Sequence, residues 1–175
     1  MTDPVLHTPR LTLRLPQPSD WPAVSAFGQS ARARFVGGAE PDEFQRWRAF
    51  LAVSGHWALK GFGFFTVLHG DLPVGRVGVI EHIMWPEPEL GYHLFDGFEG
   101  HGFVTEAAIA VREWAATEKG LGPLVSYIDP ANAQSQRVAQ RLGATYESDI
   151  TLRGTTVQVW RHPAPDADGS PEAYA

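Results

Sequence analysis

Residues 98–107, Phe-Glu-Gly-His-Gly-Phe-Val-Thr-Glu-Ala, are the stretch that decides how this chain folds. They follow a strand-like segment at 89–95 and lead into an Ala-rich segment, 105–119, with the pattern of a helix. Gly100 and Gly102 allow backbone conformations that let a ligand approach the main chain closely. The helix would present free N–H groups and the positive end of its dipole to an anion. The stretch therefore predicts a cradle for a pyrophosphate.

Two other phosphate-binding patterns do not fit this stretch. A dinucleotide-binding turn needs a third glycine and an acidic ribose partner at set offsets, and both are missing. The P-loop pattern needs Gly-Lys-Ser or Gly-Lys-Thr, which is also missing. The glycine turn by itself leaves open a strand-to-helix connection that binds nothing.

The rest of the chain alternates strand and helix patterns. Helices are expected near 21–27, from Asp42, at 105–119 and from Asn132 to Gly143. Strands are expected at 10–14, 63–69, 73–81, 89–95, 124–128, 144–149 and 155–161, with tight turns at Gly70-Asp71 and Arg153-Gly154. This order predicts an α/β (α+β) fold, a mixed sheet of about seven strands with helices on both faces.

Composition narrows the class of protein. The 175 residues, 43% of them hydrophobic, fit one domain, expected at 6–162, followed by a disordered or extended tail at 163–175. The chain has no cysteine, no apolar run of membrane-spanning length and no secretory signal, which suits the cytoplasm. A net charge of −6 argues against nucleic-acid binding and is compatible with a cationic amine substrate.

The histidines do not form a metal-binding pattern. No His-x-His or His-Glu-x-x-His spacing occurs, so no metal site is expected. The seven are scattered over the chain: His7, His56, His69, His82, His93, His101 and His162.

Five blocks of sequence extend the argument beyond the glycine turn. They are Thr-Pro-Arg-Leu-Thr-Leu-Arg at 8–14, Gly-Arg-Val-Gly-Val at 75–79, Glu-Leu-Gly-Tyr-His-Leu at 89–94, Gly-His-Gly-Phe-Val-Thr-Glu-Ala at 100–107, and Asn-Ala-Gln-Ser at 132–135 with Arg-Leu-Gly-Ala at 141–144. In this order they resemble the GNAT superfamily of N-acetyltransferases, in the branch that includes the ribosomal-protein N-terminal acetyltransferases. The resemblance covers nearly the whole chain, from residue 6 to about 161.

The resemblance implies acetyl-CoA as co-substrate and a mostly antiparallel, twisted sheet in which the fourth and fifth strands splay apart. An amine would attack the thioester directly in that cleft, and a backbone N–H of the fourth strand would stabilise the oxyanion. The residues implied for coenzyme A are Leu90, Gly91, Tyr92 and His93 for the pantetheine arm, Gly100, His101, Gly102, Phe103, Val104 and Thr105 for the pyrophosphate, and Asn132 and Ser135.

Three positions depart from the family pattern. Glu99 stands where Gln or Arg is usual, so the loop amides must bind the phosphates unaided unless the carboxylate points away. Val104 replaces a Gly or Ala and crowds the loop modestly. Ala139 stands where many relatives carry a Tyr that reprotonates the thiolate, so that common acid is missing.

Acetyl transfer to an amine needs a base and an acid, or water chains in their place. Ser135 is the candidate acid, with a helix-capping role as the alternative. Glu81, Glu89 and His93, beside His82, are the candidate bases; Glu89, Gly91 and His93 share one strand face. A histidine can serve near pH 7 without a large pKa shift, whereas a glutamate needs its pKa raised by burial.

Phe35 and Trp57 are the candidate walls of the acceptor pocket, because aromatic side chains near the first helices can bind an amine or a peptide terminus. A place in the core is the alternative for both, and it is the expectation for Trp47 and Phe50.

The favoured hypothesis is an enzyme that acetylates a primary amine, either a small molecule or a peptide N-terminus. An acyl-CoA sensor without turnover is the second hypothesis. Exposed aromatics and strand edges are compatible with a homodimer.

Overall fold

Eight strands form one sheet in the computed structural model, which describes residues 3–165. They are β1 Leu6–His7, β2 Leu11–Arg14, β3 Phe64–His69, β4 Leu72–Ile80, β5 Glu89–Leu94, β6 Val125–Ile128, β7 Thr145–Leu152 and β8 Thr155–Arg161. Their order is β1-β2-β3-β4-β5-β6-β8-β7, and every neighbouring pair is antiparallel except β5 with β6. The predicted mixed sheet is confirmed, with the two-residue β1 added. The expected tail lies outside the described residues from position 166 onward.

Four α-helices pack around the sheet: α1 Trp21–Gln29, α2 Glu43–Lys60, α3 Phe103–Lys119 and α4 Ala133–Arg141. Asp42 and Asn132 cap α2 and α4, since their side-chain oxygens accept hydrogen bonds from Phe44 N (2.8 Å) and Ser135 N (3.1 Å). Helix α3 begins at Phe103, two residues before the expected start. None of the helices in the described chain is long and apolar enough to cross a membrane.

The two faces of the sheet carry different helices. Side chains of α3, including Val111 and Trp114, pack with Leu90 of β5 in the largest core cluster. On the opposite face, the ring of Phe27 of α1 stacks on His93 of β5, with 4.5 Å between ring centroids. The alternation of β5 side chains, predicted from the sequence, therefore decides which residues face each helix layer.

Strands β5 and β6 separate shortly after they meet. Their only ladder pair in residues 3–165 joins Glu89 to Val125, at the start of both strands. Beyond that pair the Leu90 carbonyl still accepts a hydrogen bond from Ser126 Oγ at 2.7 Å, and the rest of the β5 main chain has a free edge toward β6 in the described residues. The splay implied by the family resemblance is present, and it opens the sheet at its centre.

Candidate functional site

A cavity of about 630 Å³ opens where β5 and β6 diverge. Its walls come from the 3₁₀ segment Ala31–Phe35, the end of β5, the loop before α3 and the start of α4. The predicted site residues that line it are Phe35, Tyr92, His93, Gly100, Gly102, Phe103, Val104, Thr105, Asn132 and Ser135.

The glycine loop ends in an uncapped helix N-terminus. Gly102 is the N-cap of α3 with φ of 76°, a left-handed conformation that glycine adopts without strain, and no side chain caps the helix. Gly100 also has a positive φ of 81°. The first-turn N–H groups of α3 are therefore available to an anion at the cavity wall.

Arginines surround the same cavity. Arg34, Arg137 and Arg141 line it and form no salt bridge with any carboxylate in the described residues. Arg137 and Arg141 are four residues apart on α4, so they lie on one helix face. These cations were not among the residues predicted from the sequence, although the i, i+4 spacing of Arg137 and Arg141 beside the Asn132 block was a usable signal. The uncapped helix and the arginines together fit a ligand that carries several phosphate groups, as coenzyme A does.

Glu99 does not leave a free negative charge in the loop. One carboxylate oxygen pairs with the guanidinium of Arg32, and the other accepts a hydrogen bond from Gly97 N at 3.0 Å. Arg32 also bonds Asp96 at 3.3 Å. The unfavourable acidic side chain expected beside the phosphates is thus paired with a cation that the sequence pattern did not identify.

Three of the predicted coenzyme residues do not line the cavity. Leu90 is fully buried in the α3 core, and Gly91 lies under the ring of Phe64, which a Cβ at that position would meet at 2.7 Å. His101 is exposed, and its carbonyl accepts a hydrogen bond from Arg10 at 2.9 Å. Leu90 and Gly91 can therefore offer a ligand only main-chain contacts, and the exposed side chain of His101 lies outside the cavity lining.

Glu89 lies at the start of β5, where this strand and β6 begin to separate. Its Oε2 accepts a hydrogen bond from the indole N–H of Trp85 at 2.6 Å, and it pairs with Val125 in the ladder. Burial raises the pKa of Glu89 to about 7, against the opposing effects of the Trp85 bond and the Tyr127 backbone N–H. Glu89 thus meets the condition stated for a glutamate base, and it can exchange a proton near neutral pH.

His93 does not have the near-neutral pKa that its candidacy as a base required. Its ring lies between Phe27 and Phe64, with centroids at 4.5 and 5.9 Å. Burial, followed by the charges of Arg76 and Arg32, lowers the pKa of His93 to about 3. At pH 7 the ring is neutral and too weakly basic to deprotonate an ammonium group.

Glu81, Glu89 and Trp57 do not line the cavity. The Glu81 carboxylate forms a half-exposed ion pair with Lys60 at 2.9 Å. Trp57 belongs to the main core, edge-on to Phe65 at 4.8 Å between centroids, and its indole N–H donates to the carbonyl of Phe64. Trp57 is therefore a core residue and not a wall of the acceptor pocket, because its indole N–H is hydrogen-bonded inside the protein.

Ser135 stands at the start of α4, beside the cavity. Its backbone N–H donates to the Asn132 cap, and its carbonyl accepts a 3.1 Å hydrogen bond from the Tyr92 hydroxyl. Asn132 both caps the helix and lines the cavity. Ala139 points into a separate small core with Ile128, Ala144 and Trp160, so a side chain at this position is directed away from the cavity.

Metal-binding side chains do not converge in the described residues. No group of three or more His, Cys, Asp or Glu side chains there is placed to hold an ion.

Comparison with known proteins identifies the family. Residues 10–145 match the model of the acetyltransferase (GNAT) domain, so the chain belongs to this family. The family implies acyl transfer from acetyl-CoA. The fold has the mixed, mostly antiparallel sheet that this family shares.

Three solved structures and one curated protein illustrate the likeness. A crystal structure of an acetyltransferase from Agrobacterium tumefaciens is 35% identical, with a TM-score of 0.83 over 93% of this chain and 96% of that one. A GNAT-family acetyltransferase from Bordetella pertussis is 24% identical, with a TM-score of 0.77 over 91% and 99% of the two chains. The ribosomal L7/L12 alpha-N-protein acetyltransferase RimL, solved with coenzyme A, is 19% identical, with a TM-score of 0.72 over 93% and 100%. The protein YkkB of Bacillus subtilis is 32% identical over 43% of this chain, and the match spans only 40% of that relative.

Proposed function

We propose that this protein transfers an acetyl group from acetyl-CoA to a primary amine, by direct attack of the amine on the thioester. The observation that supports this most is the arrangement at the splay. A cavity lined by an uncapped helix N-terminus, and by arginines that form no salt bridge in residues 3–165, opens at the end of β5. Glu89, whose pKa is about 7, lies at the start of the same strand and outside the cavity lining. The cavity suits a polyanionic acyl carrier, and the Glu89 carboxyl group suits proton removal from an amine.

The α3 loop and the arginines are the proposed binding site of coenzyme A. First-turn N–H groups of α3 would hold the pyrophosphate, and Arg34, Arg137 and Arg141 would contribute charge at its edges. The free edge of β5 would hydrogen-bond the pantetheine arm as a neighbouring strand does. When bound, the coenzyme supplies an acetyl thioester, which is the electrophile.

Glu89 is the proposed base. The amine reaches the enzyme mostly as an ammonium ion, and one proton must leave before its lone pair can attack the carbonyl carbon. The Glu89 carboxylate, with a pKa of about 7, accepts that proton directly or through one water molecule. A β5 backbone N–H stabilises the oxyanion that forms. The C–S bond then breaks, and the attacking nitrogen releases its second proton. The Ser135 hydroxyl is the proposed source of the proton for the thiolate, and it regains a proton from that nitrogen directly or through water.

The first experiment compares wild type with Glu89→Gln in an amine-acetylation assay across pH 5.5–9. The pH range follows from the pKa of about 7, because the base works only when Glu89 is ionised. Wild-type kcat/KM should rise with pH and level off above about 7.5. Glu89→Gln should lose about 10²–10³-fold in kcat and lose that rise, while binding acetyl-CoA as well as wild type. An unchanged pH profile in Glu89→Gln would remove Glu89 from this role.

Peptide N-termini and small amines are the proposed acceptor classes. RimL, a structural neighbour with 19% identity, is named as acting on the ribosomal L7/L12 protein, which supports including peptides in the screen. Coenzyme binding without turnover of any amine would instead favour the sensor hypothesis.

A further inference from the structure

Arg76 is a buried cation without a hydrogen-bonded partner. It lies in β4 with only 5% of its surface exposed, and its Nε and Nη2 atoms contact no acceptor in residues 3–165. Burial lowers the pKa of Arg76 to about 10, so the group remains charged at neutral pH. A guanidinium removed from water is costly unless an acceptor replaces the solvent.

Asp20, the nearby carboxylate, is already used by other groups. It forms a bidentate pair with Arg14, at 2.7 and 2.9 Å, and also accepts hydrogen bonds from Thr66 and the Gln17 backbone. Asp20 therefore acts on Arg76 only through longer-range electrostatics. The buried cluster retains one uncompensated positive charge at Arg76.

His93 lies opposite Arg76 in the β4–β5 ladder, and it has an unpartnered buried atom too. Its Nδ1 has no hydrogen-bond partner in the described chain, and its ring is neutral at pH 7. A neutral imidazole can carry its proton on Nδ1 and donate it. Two adjacent side chains thus offer three unsatisfied nitrogens in the same region.

Apolar rings enclose this pair. Phe64 lies 5.4 Å from Cζ of Arg76, and Phe27 stacks on His93. Phe27 and His93 line the cavity and Arg76 does not, so His93 is the member of the pair that connects it to the cavity. In such low-polarity surroundings a single anion interacts strongly with a guanidinium, and the Nε and Nη2 fork matches the two oxygens of a carboxylate.

We infer that Arg76 and His93 form a subsite for a carboxylate on the acyl acceptor, so that the preferred acceptors are small amines that carry an acid group, as amino acids do. This inference rests on the proposed function for its choice of acceptor. Glu89 and His93 share one face of β5, about 13 Å apart at Cα with Gly91 between them.

The test compares acetylation of α- and ω-amino acids with acetylation of their amides, by wild type, Arg76→Met, Arg76→Lys and Arg48→Met. For the amino acids that it acetylates best, wild type should have a kcat/KM about 10–100-fold higher with the free acid than with the corresponding amide, which is the usual effect of a charge-assisted hydrogen bond. Arg76→Met should lose that preference and Arg76→Lys should keep part of it. Arg48→Met, at an exposed site on α2, is the matched control and should keep it fully.

A second measurement needs no turnover. Propionate should raise the Tm of wild type in a saturable way, and propionamide at equal ionic strength should not. Arg76→Met should fold with a Tm no lower than wild type, because an unpaired buried charge is removed, and should not respond to propionate.

Equal use of acids and amides by wild type, or a preference that survives in Arg76→Met, would overturn the subsite. The absence of a propionate-dependent Tm shift in wild type would overturn it as well. If no amine of any kind is acetylated but the propionate shift is present and depends on Arg76, the subsite stands and the proposed transferase activity fails.

Discussion

Two hydrogen bonds lower the proton affinity of Glu89 against the effect of its burial, and the bond from Trp85 can be removed by substitution. The indole N–H of Trp85 donates to the carboxylate at 2.6 Å, and this bond lowers a pKa that burial raises to about 7. Trp85→Phe removes the donor, so the charged form loses stabilisation and the pKa must rise. We expect the midpoint of the kcat/KM profile to move to higher pH by about one unit or more. Trp47→Phe is the control and should leave the midpoint in place, because Trp47 is a partly buried residue of α2 that packs against Trp21 and not against Glu89.

A midpoint that stays in place or falls in Trp85→Phe would show that Glu89 does not control the pH profile of kcat/KM.

At the scale of single residues, the sequence predicted the candidate bases but could not rank them. Glu81 and Glu89 have the same chemistry, and only the fold shows that one pairs with Lys60 at the surface while the other is partly buried and hydrogen-bonded to Trp85. His93 likewise met the sequence criterion for a base, and the Arg76 charge that suppresses its basicity comes from a neighbouring strand.

Glu106 connects the N-terminal segment to the first turn of α3. It is 8% exposed and accepts hydrogen bonds from Thr8 Oγ1, Arg10 N and Arg10 Nε at 2.5–2.9 Å. These bonds lower the pKa of Glu106, against the opposing effect of burial. Glu106→Gln should lower stability by about 1–3 kcal/mol at pH 7, measured by urea unfolding.

The sign of the pH dependence follows from the direction of that shift. A carboxyl whose pKa is lowered by folding contributes stability above its unfolded pKa, near 4.3, and loses it as pH falls through the lower folded value. The stability gap between wild type and Glu106→Gln should therefore narrow below about pH 4. A gap that stays constant from pH 7 to pH 3 would contradict the assigned ion pair.

Regular elements were predictable where local patterns decide them. The turns at Gly70-Asp71 and Arg153-Gly154 join strands as expected, because the two-residue connection needs residues that tolerate positive φ. The pattern missed β1, since two residues show no period, and it ended β7 at Asp149 instead of Leu152. The splay between β5 and β6 left no local signal, because it depends on how two distant strands diverge, and only the family resemblance implied it.

The whole molecule brings together charges that are far apart in sequence. Arg32 and Arg34 precede β5 by about sixty residues, and Arg137 and Arg141 follow it by over forty, yet all four line one cavity. No spacing rule connects the two groups. The glycine loop at 100–102, by contrast, was identifiable from sequence because its chemistry is local: glycines followed at once by a helix N-terminus.

Calorimetric titration with acetyl-CoA tests the central claim most directly, using wild type, Gly102→Ala and Gly102→Glu. Both substitutions strain a residue with φ of 76°, at a cost of about 1–2 kcal/mol, but only the glutamate places a negative charge beside the proposed pyrophosphate site. Wild type, freed of any bound coenzyme, should bind in the micromolar range, and Gly102→Glu should bind at least about tenfold more weakly than Gly102→Ala. No binding by folded wild type, or equal affinity in the two variants, would contradict the assignment of this cavity to coenzyme A.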